Sequence, residues 1–205
     1  MLGKILLTGG HGLLGTELQK YFTCEAPDSK KLDITDVNTM VKYDPDIVIH
    51  AAAYTDVTKA ETDKERCFNV NVRGTYNLTQ IFPKAYFVYI SSEYAKNPVN
   101  FYSQTKQWGE EMVIRYCANH LIIRTLFKAS PFPYKYAFFD QWSQGDSVDI
   151  IAPMIVKEIL RGSVGLHNIG TGRKTMFELA RRTVPDIKAI SVDDIKDVRL
   201  PKDYL

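Results

Sequence analysis

Apolar residues fall into two kinds of pattern along this chain, and the two kinds alternate. Ile5-Leu6-Leu7 is a continuous apolar run that stops at Thr8-Gly9-Gly10, which predicts a short strand buried on both faces. Over 12–21, Leu13, Leu14 and Leu18 recur at helical spacing, so a helix follows the glycines. A weak second strand is expected over 23–26, ending near Asp28. The segment 37–43 predicts a short helix with Thr35 or Asp36 as N-cap, and Asp44-Pro45-Asp46 ends it. Ile47-Val48-Ile49 is the next buried strand, 60–81 reads as one long helix, and Tyr86–Ile90 is a strand ending at Ser91-Ser92. A helix over 102–119 leads to the strand Leu121-Ile122-Ile123.

Strands alternating with helices predict βαβ units, hence an α/β fold with a parallel sheet and right-handed crossovers. The pattern loosens after Arg124. The segment 130–145 is rich in Pro, Phe and Tyr and reads as an irregular lobe or loop. Its aromatic run from Phe132 to Trp142 has two readings, a wall or partner surface and a small satellite core under a loop. A helix over 151–160, a strand over 167–169 and a last helix over 175–182 complete the pattern.

Composition narrows the class. The chain has 205 residues, 45% hydrophobic and 24% charged, with a net charge of +2. That describes one compact domain with too much apolar material for bulk disorder. Its basic residues do not cluster, so no nucleic-acid partner is expected. No stretch reaches the ~20 apolar residues of a membrane span, so no membrane partner is expected either. Met1-Leu2-Gly3-Lys4 runs into the first strand without the features of a targeting segment. Cys24, Cys67 and Cys117 are widely spaced and form no C-x-x-C, which fits a reducing compartment and a cytoplasmic location. The four histidines lack metal-ligand spacing, and no metal is expected.

Gly9, Gly12 and Gly15 form G-x-x-G-x-x-G between a buried strand and an amphipathic helix. A dinucleotide pyrophosphate needs close backbone approach and the N–H groups of a helix start, and the third glycine lets helix and strand pack. The context predicts a Rossmann-like, doubly wound sheet holding NADP or NAD. Asp28, 13 residues after Gly15, is the candidate for the adenosine ribose hydroxyls. A carboxylate there favours NAD, whereas Lys30 and Lys31 would offset repulsion of a 2′-phosphate, so both cofactors stay open.

Tyr102 and Lys106 are four apart on a predicted helix and share a face. An ammonium beside a phenol is expected to lower the phenol pKa, making Tyr102 a usable proton donor to a developing alkoxide. Ser92, at a strand end, would hold a carbonyl oxygen. Together the three serve hydride transfer at a carbonyl. With 12 tyrosines, about one Y-x-x-x-K pair is expected by chance, so the weight rests on its position after Ser91-Ser92.

At these residues the chain resembles the extended short-chain dehydrogenase/reductases, and among them the dTDP-4-dehydrorhamnose reductase family. The resemblance runs through Thr8-Gly9-Gly10-His11-Gly12-Leu13-Leu14-Gly15 and Leu32-Asp33-Ile34-Thr35-Asp36. It continues in Asp46 to Thr55, Asn69-Val70-Asn71, Tyr89 to Tyr94, Asn100 to Lys106 and Leu121 to Thr125. It implies catalytic roles for Ser92, Tyr102 and Lys106, and a cofactor held by Gly9, His11, Gly12, Leu13, Leu14, Gly15 and Asp28. Asp33 and Ile34 would meet the adenine, Ala51, Ala52 and Ala53 would line the cofactor, and Lys106 would hold the nicotinamide ribose. Asn71, counted with the cofactor side, would support the active-site helix or a relay water. Thr55, Ser92, Tyr102 and Phe127 would meet the substrate sugar.

The implied reaction is NAD(P)H-dependent reduction of a nucleotide-linked 4-dehydro-6-deoxyhexose, in a single domain over 1–205. Segments 127–150 and 163–205 would form a small, reduced C-terminal substrate lobe. A homodimer is the assembly allowed for. Two departures from the family fall on the substrate side. Only nine residues separate Ser92 from Tyr102, and Phe127 stands where the family usually has Trp. The end, Pro201-Lys202-Asp203-Tyr204-Leu205, resembles the family's Arg-Pro-Lys segment without its last helix. Two alternatives follow. One is a non-catalytic dinucleotide-binding regulatory subunit, as relatives of this family are for methionine adenosyltransferase. The other is a sugar-nucleotide epimerase or dehydratase; no acid directly follows a catalytic Thr, which argues against dehydration, while Glu93 after Ser92 keeps it open.

Overall fold

The structure is a computed structural model that describes residues 2–203. Met1, Tyr204 and Leu205, and so the end of the segment likened to Arg-Pro-Lys, lie outside the described residues. In chain order the first elements are β1 (Ile5–Thr8), α1 (Leu13–Leu18), β2 (Ile47–His50), α2 (Lys64–Phe68), α3 (Gly74–Ile81), β3 (Tyr86–Ile90), α4 (Phe101–Tyr116) and β4 (His120–Arg124). They are followed by β5 (Phe127–Lys128), β6 (Tyr136–Phe138), β7 (Trp142–Ser143), β8 (Asp146–Ser147), α5 (Val148–Leu160), β9 (Gly165–Asn168), β10 (Lys174–Thr175), α6 (Met176–Arg181) and β11 (Lys188–Ile190).

Strands β1, β2, β3, β4 and β9 form one parallel sheet in that order. Alternate side chains point to opposite faces, so each apolar run serves two cores. Ile5, Leu7, Ile49 and Ile123 pack with Leu14 and Leu18 of α1 and Ile151 and Ile155 of α5. Leu6, Val48, Phe87 and Ile122 pack with Leu78 of α3 and Val113 of α4. Helices cover both faces, which is the doubly wound α/β architecture expected. The second strand survives only as a bridge between Leu6 and Glu25, with Leu7 N donating to Glu25 O at 2.8 Å. Glu25 lies on the edge of β1 opposite β2, so the strand order reverses at β1, and the glycine turn follows that strand.

Three expectations are corrected in detail. The helix over 37–43 is only a 3₁₀ turn, Val37–Thr39, capped by the Asp36 carboxylate through Asn38 N. The helix over 12–21 is shorter, Leu13–Leu18. The long helix over 60–81 is broken: a 3₁₀ turn at Lys59–Glu61, α2, a π turn at Asn69–Arg73, then α3. The π turn faces buried Asn71 toward the backbone of Tyr54, whose N–H donates to Asn71 Oδ1 at 2.8 Å.

Helix α4 starts where it does because Asn100 and Ser103 form a capping box, with Ser103 N donating to Asn100 Oδ1 at 2.8 Å. Two turns after Tyr102, the Glu110 carboxylate is 3% exposed. It accepts from Ser91 Oγ at 2.5 Å, from Arg124 Nε at 2.8 Å and from an Arg124 terminal nitrogen at 2.6 Å. This bidentate pair pins α4 to the ends of β3 and β4.

The segment expected to be irregular is ordered by pairing with the C-terminal part of the chain: β6 pairs with β11 and β7 with β10. The strands that flank it, β5 and β8, pair with each other. Phe132 and Ala137 form a satellite core with Ala180 and Ile187, while Tyr134, Tyr136 and Phe139 are exposed. No helix among the described residues is long and apolar enough to cross a membrane.

Replacing Arg124 with Ala leaves Glu110 buried with one hydroxyl partner. Arg124→Ala should cost about 3 kcal/mol, read from urea midpoints. A midpoint equal to wild type would show that the pair does not hold α4.

Candidate active site

The three glycines have different jobs. Gly9 has a φ of +73°, and a Cβ there would lie 2.6 Å from Ala52 N, so the turn is pressed against the end of β2. At Gly15 a Cβ would collide with Gly9 O and lie 2.7 Å from Gly10 Cα, so α1 is pressed against the turn. At Gly12 the nearest atom would be Gly9 O at 3.2 Å, and the rest is open cleft. Gly9 and Gly15 are required by the fold, whereas Gly12 keeps the cleft floor clear. No side chain caps α1 at Gly12, so its first-turn N–H groups keep no partner within the helix.

A buried relay sits behind this turn. Thr75 Oγ1 donates to Asn71 O at 2.7 Å, so it accepts from His50 Nε2 at 2.9 Å. His50 Nδ1 is then the acceptor for Thr8 Oγ1 at 2.8 Å. Burial, with the Lys106 charge adding to it, holds the His50 pKa down to about 3, so the ring is neutral.

The cleft has a volume of about 1260 Å³ and runs along the C-terminal ends of the strands. Gly9, His11, Gly12, Leu13, Leu14 and Gly15 line it. So do Asp28, Asp33, Ile34, Ala51, Ala52 and Ala53. On the other side are Thr55, Ser92, Tyr102, Lys106 and Phe127. Asn71 is the exception among the candidates. It is 1% exposed and does not line the cleft. Its amide clasps Tyr54 O at 3.2 Å and Thr105 Oγ1 at 3.0 Å, so it braces α4 against the loop after β2. Direct contact with a cofactor is therefore replaced by the supporting role.

Asp28 spends Oδ1 on its own turn, accepting from Lys30 N and Lys31 N at 3.0 Å each. Its Oδ2 has no partner among the described residues and remains available to a ligand. Glu93, next to Ser92, turns away from the cleft. It is 7% exposed and accepts from Ser143 Oγ at 2.6 Å. Burial raises its pKa, but it is not placed to act on a ligand in the cleft.

The nine-residue connection still brings Tyr102 to Ser92. Ser92 Oγ caps a 3₁₀ turn by accepting from Tyr94 N at 3.2 Å, and α4 restarts the chain at Phe101. The Tyr94 and Tyr102 rings meet edge to face at 6.0 Å. The expected electrostatics are corrected. Burial pushes the Tyr102 pKa up to about 12, with the Ser92 hydrogen bond opposing it. Lys106 makes no contribution to that shift. Burial pulls Lys106 itself down to about 7, while Glu110 and Cys67 favour its charge. Lys106 Nζ donates to Ile90 O at 2.8 Å and lies 4.3 Å from the Tyr89 ring centre. The cleft thus presents a protonated phenol, a serine hydroxyl and a titratable ammonium in one place. Such a set is chemically able to hold a carbonyl oxygen and to deliver a proton to it.

Tyr134, from the aromatic run read as a wall or a satellite core, lines the cleft, and sequence reasoning missed Arg66 and Lys128, which line it too. Each is a common residue type without a motif around it, so no local signal marks it.

Lys106 stays charged up to pH 10.5 in the unfolded chain but only to about 7 in the folded one. Between these values the unfolded chain binds more protons, so stability from this group rises with pH. Wild type should therefore gain on Lys106→Met as pH goes from about 7 to about 10, measured as the difference in urea midpoints. A gap that stays constant would contradict the depressed pKa.

Comparison with known proteins fits this geometry. A dTDP-4-dehydrorhamnose reductase of Mycolicibacterium smegmatis is 28% identical, over 92% of this chain and 71% of that protein. The methionine adenosyltransferase 2 subunit beta of Danio rerio is 25% identical, over 59% of this chain and 46% of that one. The chain spans about half the length of several other curated relatives it matches. A crystal structure of a Bacillus anthracis dTDP-4-dehydrorhamnose reductase in complex with NADP superposes with a TM-score of 0.86 at 24% identity. That superposition covers 100% of this chain and 90% of that one. The family profile described as RmlD substrate binding domain matches residues 3–155, and this chain belongs to that family.

Proposed function

We propose that this chain is an NADPH- or NADH-dependent reductase of a nucleotide-linked 4-dehydro-6-deoxyhexose. The observation that carries the reading is the arrival of Ser92, Tyr102 and Lys106 in the same cleft as the Gly9–Gly12–Gly15 turn. The names of its relatives support it, as does the NADP held by the Bacillus anthracis structure.

The residues fit a dinucleotide. At about 1260 Å³ the cleft is larger than a site for one small ligand, which is ~300–1,000 Å³. Gly12 leaves the space that a pyrophosphate would occupy, and the first-turn N–H groups of α1 would hold it. Asp28 would take the ribose hydroxyls through Oδ2, and Lys30 and Lys31 are exposed beside it to accommodate a 2′-phosphate. Ala51, Ala52 and Ala53 would leave room for the cofactor along the strand end. When bound, the nicotinamide supplies hydride.

The chain's own residues manage the carbonyl oxygen and its proton. Ser92 Oγ orients the ketone oxygen. Tyr102 holds the proton that this oxygen takes up, and a pKa of about 12 keeps the phenol protonated at neutral pH, as reduction requires. Lys106 lies one helical turn on and would hold the nicotinamide ribose and offset negative charge formed on Tyr102. Thr55 and Phe127 would face the sugar. Segments 127–150 and 163–205 would serve as the reduced substrate lobe of a single domain. The reading includes a pair of chains as the assembly and the cytoplasm as the compartment. The three free cysteines agree with that compartment, and light scattering tests the pair.

The assay is NAD(P)H oxidation by the purified chain with dTDP-4-dehydro-6-deoxyhexoses. Tyr102→Phe should slow turnover roughly 100-fold or more with cofactor affinity unchanged. Gly12→Val should weaken NADPH binding by about tenfold or more without lowering the melting temperature. Tight dinucleotide binding with no turnover of any such sugar would instead favour the regulatory subunit, the reading suggested by the methionine adenosyltransferase relatives.

A further inference from the structure

Lys128 sits on β5 just beyond Phe127, where the cleft meets a second cavity of about 230 Å³. Its side chain makes no hydrogen bond and no ion pair among the described residues. Its Nζ lies 5.1 Å from the centre of the Tyr134 ring, and Tyr134 lines the same cleft. Burial pulls its pKa down to about 8, and no neighbouring charge contributes. Two acids line the second cavity with it, and neither serves it: Asp149 makes no ion pair with Lys128. Asp146, which lines the second cavity, is 2% exposed and already saturated. It accepts from Ser147 N at 2.9 Å, Thr171 Oγ1 at 2.8 Å and Arg182 at 3.0 Å, with Lys174 Nζ at 3.4 Å. Lys128 is half-buried on the cleft wall and its ammonium has no counter-charge there, so an anion arriving in the cleft would supply the missing partner.

The position says which anion. Three strand spacings separate β1, where the glycine turn sits, from β4, which leads to Lys128; at about 4.8 Å each that is about 14 Å. A pyrophosphate held at the glycine turn does not reach across that distance to Lys128. The nicotinamide end directed toward Tyr102 carries no anionic group. The remaining anion in the proposed reaction is the diphosphate that links nucleoside to sugar. We infer that Lys128 is the residue that binds the diphosphate of the nucleotide-linked substrate, seated against the Tyr134 ring on the wall beside Phe127. The inference rests on the reductase reading for its substrate class.

The test is calorimetric titration of dTDP and of thymidine into the NADPH-saturated protein, with Lys128→Met and Lys128→Arg beside wild type. Lys128→Met should weaken dTDP binding roughly 10- to 100-fold and leave thymidine nearly unchanged. Lys128→Arg should retain dTDP affinity within about threefold, because the charge is kept. NADPH affinity should be the same in all three. Unchanged dTDP affinity in Lys128→Met, an equal loss for thymidine, a loss of NADPH affinity, or no dTDP binding by wild type would each overturn the assignment. If dTDP binds through Lys128 but no 4-dehydro sugar is reduced, the diphosphate site stands and the reductase reading falls. If the sugar is reduced with the same KM in wild type and Lys128→Met, the reductase reading stands and the site falls.

Discussion

The site depends on how α4 is held against the sheet. A helix carrying a phenol and an ammonium on one face is useful only if that face has a fixed rotation and height. Glu110 sets both. It continues the row Tyr102–Lys106–Glu110, four residues apart, and its carboxylate is gripped by Arg124 of β4 and Ser91 at the end of β3. Asn71 braces the same helix from the other side through Thr105. The reactive side chains can be surrounded by a wide cleft because their helix is tied down elsewhere.

The burial that positions these groups also sets their protonation. Tyr102 is raised and Lys106 lowered by the same withdrawal from water, and the fully buried Tyr89 ring beneath Lys106 is part of that surrounding. The pair is therefore not a phenolate held by an ammonium in the absence of ligand. It is a neutral acid next to a base whose charge is poised, and a bound molecule will shift both.

Much of the scaffold was legible because it is local. A three-residue apolar run and a following glycine turn specify a buried strand and a close approach within a dozen residues. Ser92, Tyr102 and Lys106 were legible for the same reason, being tied to a strand end and one helix. What was not legible depends on partners distant in sequence. The π turn answers to Tyr54, 17 residues before Asn71. The aromatic segment after Ser130 takes its order from β10 and β11, about which its own residues carry no pattern. The separate roles of Gly9 and Gly12 appear only once Ala52 is in place, and the perturbed pKa values only once Tyr89 and the sheet surround α4.

The ten-residue step from Ser92 to Tyr102 closes one side of the cleft with little chain to spare. It has few conformations to lose, so the hydroxyl and the phenol stay in register whatever enters from the opposite side. The stretch from Phe127 to Tyr134 is anchored at Phe127 against the sheet's core and at Phe132 in a smaller one, and its far end at Tyr134 is exposed. Near Phe127 the two stretches touch, through Tyr94 and Leu126, but at the Tyr134 end they do not share a core. On the proposed reading, substitutions at its exposed end around Tyr134 would alter what the cleft admits while leaving the Ser92–Tyr102 step in place, which would make that end the natural place to re-engineer selectivity in this scaffold.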